Sequence, residues 1–170
     1  MYRPMRQEII SVLVQNRANV LTRVISLYGR RGFNIDSLTV SPTNNPDLSR
    51  ITIAFTANEK SMQQIITQTE KLEVVESVML MDKDNSFYRE LLLLRVSTPN
   101  GDRTRVKEIV DIYRAKLVAL HKESMIIELT GTPEKLNAFL KMLEDFDVTE
   151  VCRTGVTGIE KSEKGECEDD

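Results

Sequence analysis

Apolar residues recur along the first eighty or so positions in two rhythms, one close to two and one close to three and a half. Glu8–Val14 is short and dense in Ile, Val and Leu, the pattern of a buried strand. Val20, Leu21, Val24, Leu27 and Tyr28 then recur at helical spacing. Gly32 follows two arginines and fits the left-handed position after a helix, with the arginines favourably near its C-terminus. Asn34–Ser41 alternates apolar and polar residues, "PTNNPDL" is turn chemistry, and Arg50–Thr56 alternates again, which predicts a hairpin. Met62, Ile65, Ile66, Thr69 and Leu72 share one helical face, and Val74–Met81 reads as a closing strand.

The order is β-α-β-β-α-β, the ferredoxin-like arrangement with two helices on one face of an antiparallel sheet. "DKDNS" then gives a polar break without an apolar anchor, and the same order begins again. Arg89–Ser97 is an apolar strand, and Val106, Ile109, Val110 and Tyr113 mark a helix. Lys116–His121 and Met125–Thr130 form a hairpin turned at Lys122–Ser124. Pro133 opens a helix whose buried face is Leu136, Phe139, Leu140 and Leu143, and Asp147–Cys152 is a last strand. The expected fold is therefore α+β, two βαββαβ domains over residues 6–82 and 88–159, a linker at 83–87 and a disordered acidic tail over 160–170. The repeat is one of topology, without a convincing residue-by-residue match.

Composition narrows the function more than the fold. Apolar residues make up 41% and charged residues 29%, as in ordinary globular proteins, and with no Trp and 5% aromatics the cores should be aliphatic. A net charge of −3 argues against a dedicated nucleic-acid binder. Two cysteines make neither a zinc site nor a disulfide framework, and reduced thiols in a cytoplasmic protein are the simplest reading. The N-terminus lacks the apolar core of a signal peptide, and no stretch is long and apolar enough for a membrane span.

Catalytic or metal-binding clusters are not evident, so no catalytic residue and no metal ligand is assigned. His121 reads as a turn histidine, Cys152 as a small buried strand residue and Cys167 as inert. "TGTP" lacks the lysine and glycine spacing of a phosphate loop, and Thr132 reads as an N-cap. Glu70, Glu73 and Glu76 look like a solvated face. Two segments remain, the strand-to-helix loop Gln15–Leu21 and the turn "RRGFNIDS". Helix-start N–H groups can hold a carboxylate, and the amides of Asn16 and Asn34 both donate and accept, which suits a free amino acid. Equally, Asn16 caps a turn and Asn34 merely starts a strand.

A resemblance separates these readings. "SVLVQNRANVLTRVISLYGRRGFNIDSLTVSPTNNPDLSRITI" resembles the ACT domain of the small, regulatory subunits of acetohydroxyacid synthase (acetolactate synthase). "RELLLLRV", "IVDIYRAKLVAL", "IIELTGTPEKLNAFL" and "EVCRTGVTGI" follow that family's C-terminal domain in the same order, so the likeness runs from about Arg6 to Ile159. It implies a non-catalytic subunit with no cofactor of its own. Such a subunit activates a catalytic large subunit carrying thiamine diphosphate, magnesium and FAD, and confers feedback inhibition by valine or a related branched-chain amino acid. It also implies a homodimer through the ACT domains, the effector lying between Asn16, Asn19, Val20 and Leu21 of one chain and Asn34 and Ile35 of the other. The alternative is a freestanding ACT-type amino-acid sensor acting on another partner.

Two positions depart from the family pattern, Asn19 and Ala115, where glycine is usual. Asparagine tolerates left-handed backbone better than most residues, so the turn at Asn19 should survive. Its side chain should cap the following helix and compete for the N–H groups an effector carboxylate needs. Weakened or altered feedback, with activation retained, is the expectation.

Overall fold

The computed structural model describes residues 6–99 and 101–161, and the expected tail lies outside them from residue 162 onward. The chain divides into two compact units, the described residues up to Phe87 with those from Val156 onward, and Tyr88–Gly155.

The first unit contains strands β1 (Arg6–Gln15), β2 (Ile35–Pro42), β3 (Leu48–Ala57) and β4 (Val75–Leu80), with helices α1 (Val20–Arg30) and α2 (Glu59–Glu70). The sheet order is β2-β3-β1-β4, antiparallel throughout, so the fold is ferredoxin-like. β1 and β3 pair without a break from Arg6↔Ala57 to Gln15↔Leu48, whereas β2 carries a bulge between Ile35 and Ser37. Period-two alternation puts Ile10, Val12 and Val14 with Ile51, Ile53 and Phe55 on one face, where Val24, Leu27, Tyr28 and Ile65 from the helices meet them.

That core is less aliphatic than composition suggested. Tyr28 and Phe55 are fully buried and Phe33 packs against them, the three rings meeting edge to face with centroids 5.8–6.4 Å apart. Buried Thr69 lies beneath Tyr28, donating to the Ile65 carbonyl at 2.7 Å and reaching the Tyr28 hydroxyl at 3.5 Å. Burial pushes the Tyr28 phenol up to about 12, and the Thr69 hydrogen bond lowers it only in part.

The second unit holds most of β5 (Ser86–Ser97), together with α3 (Asp102–Tyr113), β6 (Lys116–Leu120), β7 (Ser124–Gly131), α4 (Pro133–Met142) and β8 (Val148–Arg153). Its sheet runs β6-β7-β5-β8, the same order as the first. Leu92, Leu94, Val96, Met125, Ile127 and Leu129 face Val106, Val110, Leu136 and Phe139. Thr132 caps α4 as expected, its hydroxyl accepting from the Lys135 N–H at 3.3 Å. A ninth strand, β9 (Thr157–Glu160), pairs with β5 and takes in Glu160, the first residue of the expected tail.

The first helices of the two units share one short run of residues and the same helix ends, which periodicity did not reveal. Thr22-Arg23-Val24 and Thr104-Arg105-Val106 occupy equal steps of α1 and α3, and both valines are fully buried. Each helix is preceded and followed by a left-handed residue: Asn19 and Gly32 around α1, Gly101 and Arg114 around α3. Phe33 N–H bonds the Tyr28 carbonyl at 3.0 Å, and Ala115 N–H bonds the Val110 carbonyl at 2.8 Å, so both helices close with the same six-to-one bond. Ala115 is therefore not the position that needs glycine; the residue before it takes the positive φ.

Candidate functional site

The β1–α1 loop is held from below rather than left open. Gln15 N–H bonds the Val74 carbonyl at 3.0 Å, and Asn16 N–H bonds the Asp47 carbonyl at 2.7 Å. Asn16 Nδ2 also donates to the Pro46 carbonyl at 2.9 Å. The β2–β3 turn that receives these bonds is itself ordered by Asn45, whose Oδ1 accepts from the Asp47 N–H at 3.0 Å. Asn16 thus fixes the loop to the hairpin with its amide nitrogen, from an exposed position.

Asn19 turns the chain into α1 with φ 66 and ψ 0, and its carbonyl accepts from Arg23 N–H at 3.1 Å. Its side chain makes no capping bond. Asn58 and Thr132, which do cap, have extended backbone with ψ 162 and 157, the conformation that brings a side-chain oxygen over the next turn. Left-handed backbone sends the Asn19 side chain elsewhere, so the expected competition for the helix-start donors is absent. The N–H groups of Val20, Leu21 and Thr22 precede the first donor of the helical ladder. α1 has no acidic residue in its first turn, so no carboxylate of its own sits at this positive end.

The apolar residues divide unequally. Val20 is 4% exposed and belongs to the core, so it offers a ligand its backbone and not its side chain. Leu21 is 36% exposed at the same helix start. Ile35 is half-buried against the core at the beginning of β2, and Asn34 beside it is exposed.

Asn16 and Asn34 do not meet within one chain. Gln15 pairs with Leu48 and Ile35 with Phe55, so the two groups stand seven steps apart along β3, about 24 Å at roughly 3.4 Å per residue. β1 and β2 both run antiparallel to β3 and hence parallel to each other. The start of β2 therefore lies at the opposite end of the sheet from the end of β1. Asn34-Ile35 and Asn16–Leu21 thus stand at opposite ends of the sheet.

β2 is also an edge strand, with Val40 45% exposed on it. Antiparallel pairing of β2 with the β2 of a second copy would set the Ile35 end of one against the Pro42 end of the other. Pro42 pairs with Ser49, next to the Leu48 that faces Gln15. Such a two-fold pairing would bring Asn34-Ile35 of one copy towards the β1–α1 loop of the other.

Among the described residues, no group of three or more His, Cys, Asp or Glu side chains is placed to hold a metal ion. His121 lies exposed in the β6–β7 turn, its carbonyl accepting from Arg103 Nη2 at 3.0 Å. Cys152 is exposed on edge strand β8 opposite Leu93, not buried as its strand position suggested. Glu70, Glu73 and Glu76 are all exposed. No helix among the described residues is long and apolar enough to cross a membrane.

Comparison with known proteins covers both units. A family described as an AHAS small subunit-like ACT domain matches residues 10–77, and one described as the small subunit of acetolactate synthase matches residues 89–162. The chain is 42% identical over 156 residues to the acetolactate synthase small subunit of Mycolicibacterium smegmatis, covering 92% of each. It is 38% identical to that of Buchnera aphidicola, covering 90% of this chain and 98% of the relative. The crystal structure of the Thermotoga maritima small subunit superimposes with a TM-score of 0.84 at 35% identity, covering 93% of this chain and 99% of that one.

Proposed function

The chain belongs to the acetolactate synthase small-subunit family, and on that premise we propose that its first unit senses valine or a related branched-chain amino acid at a site shared between two copies. The observation that carries this reading is the separation of the two segments, with helix-start N–H groups at one end of the sheet, Asn34-Ile35 at the other and β2 at the sheet's edge.

Each residue then has a distinct role. The N–H groups after Asn19, at Val20, Leu21 and Thr22, take the ligand carboxylate, favoured by the helix dipole. Asn16 spends its amide nitrogen on Pro46, so its oxygen remains to accept from the ligand ammonium. Asn34 of the second copy completes the polar contacts. Leu21 and Ile35 wall the aliphatic side chain, and a hydrocarbon wall without further polar groups suits valine, leucine or isoleucine rather than a polar amino acid. Asn19 sets the turn and leaves the donors free, so feedback is retained rather than weakened.

In this reading the chain itself performs no catalytic step. Thiamine diphosphate, magnesium and FAD belong on the catalytic large subunit, which this chain joins in the cytoplasm and activates. An effector that binds one state of that complex more tightly shifts the population towards it. Reconstitution tests the reading. The catalytic subunit should gain activity when this chain is added and lose much of the gain as valine is titrated in. Failure to bind or stimulate the catalytic subunit would overturn the proposal.

A further inference from the structure

Two side chains on the edge strand of the first unit hold the backbone of a residue far along the chain. Ser37 and Thr39 stand two apart on β2 and so point to the same face of the sheet, away from the helices. Thr39 Oγ1 donates to the Val156 carbonyl at 3.1 Å, and Val156 N–H donates to Ser37 Oγ at 3.5 Å. Val156 is 2% exposed and groups with the first unit. Both of its backbone groups are thus satisfied by hydroxyls of a strand more than a hundred residues earlier.

Val156 is also where the chain returns from the second unit. Gly155 before it has φ +83, a conformation that suits glycine. Thr154 before that is tied within the second unit, its N–H bonding the Leu91 carbonyl at 3.1 Å and its Oγ1 accepting from Leu91 N–H at 3.1 Å. Downstream, Lys161 N–H bonds the Asn85 carbonyl at 2.9 Å and its Nζ the Asp84 carbonyl at 2.6 Å. The return segment is therefore fixed at its far end, gripped by β2 at Val156, and joined to the second unit through a glycine.

Because β2 begins at Ile35, the clasp lies two and four residues from one half of the proposed amino-acid site. Ligand held between two copies restrains β2, and a restraint on β2 affects the rest of the chain only if some contact reads its position. The hydroxyl clasp is a contact placed to do so. We propose that Ser37 and Thr39 are positioning residues that pass amino-acid occupancy of β2 to the return segment at Val156, and through Gly155 to the second unit. This rests on the function proposed above.

The test uses full-length chain reconstituted with the catalytic subunit, with valine binding to the chain measured separately by calorimetry. Thr39→Val keeps size and branching but removes the donor, Ser37→Ala removes the acceptor, and Thr39→Ser restores the hydroxyl. Thr39→Val and Ser37→Ala should stimulate the catalytic subunit within about twofold of wild type and bind valine within about threefold. Their maximal inhibition by valine should fall to roughly half or less, and Thr39→Ser should recover it. An inhibition curve for Thr39→Val and Ser37→Ala that superimposes on wild type overturns the proposal. So does a parallel loss of stimulation, binding and inhibition, which would mark a merely structural contact. Wild-type chain that binds no branched-chain amino acid would overturn the sensor function and the clasp together, and that result is read without any variant.

Discussion

Asn19 and Gly101 occupy the same place in the two units, each the residue that turns the chain into the unit's first helix, with φ 66 and φ 100. Where the second unit uses glycine, the first uses the residue that tolerates left-handed backbone best among those with a side chain. The side chain of Asn19 bonds nothing at the helix start, so its role is conformational. Asn19→Gly should change stability by less than about 1 kcal/mol and leave the valine response within about threefold of wild type. Asn19→Val should destabilise by about 1–2 kcal/mol, because a β-branched residue is poorly accommodated at positive φ. Urea unfolding of each variant checks both values.

Arg114 poses the converse case. It closes α3 at φ 55, where the first unit has Gly32 at φ 71. Arg114→Gly should stabilise the second unit by about 0.5–1 kcal/mol, since the left-handed cost is relieved and the Ala115-to-Val110 hydrogen bond does not depend on the side chain. A rise in the denaturation midpoint at constant slope is the expected result.

Arg153 reaches from β8 to the Glu90 carboxylate and donates from Nη1 to Asn137 Oδ1 at 2.7 Å, and Glu90 is only 7% exposed. Arg153→Met should cost about 2–4 kcal/mol by leaving Glu90 without its counter-charge. Adding Glu90→Gln should recover a large part of that loss, and a double-mutant cycle measures the coupling.

Tyr28 links the first unit to pH. Its folded-state value of about 12 lies above the ordinary tyrosine value, so the stability it contributes is fully present below about pH 10 and is lost as pH rises through about 12. The loss should approach about 2–3 kcal/mol across that window. Tyr28→Phe should be close to wild type at neutral pH and show a shallower alkaline loss, and the difference between the two curves cancels the titration of lysines.

Much of this architecture was legible in the residues. Apolar periodicity located β1 to β8 and α1 to α4, the central strand β1 by its dense apolar run, which fits the burial of consecutive residues from Ile9 to Val12. Gly32 and Thr132 were readable from local chemistry alone. The capping behaviour of Asn19 was not, because composition cannot tell extended from left-handed backbone at a helix start. Nor did the strands alone show that Asn16 and Asn34 lie at opposite ends of one sheet; that follows from the pairing register. β9 and the clasp at Val156 escaped for a related reason. Serine and threonine on a half-exposed strand look like solvent-facing residues until the return segment is placed over them.

The site proposed between two copies makes a prediction that a site within one chain does not. Asn16→Ala chains and Asn34→Ala chains should each bind valine at least about tenfold more weakly than wild type, since each loses one half of every site. Mixed and re-paired, the two variants form dimers in which one site carries both substitutions and the other carries neither. Calorimetry on the mixture should then recover wild-type affinity at roughly a quarter of the wild-type site number, as random pairing of two chains requires. A mixture that binds no better than either variant alone would contradict the site proposed between two copies.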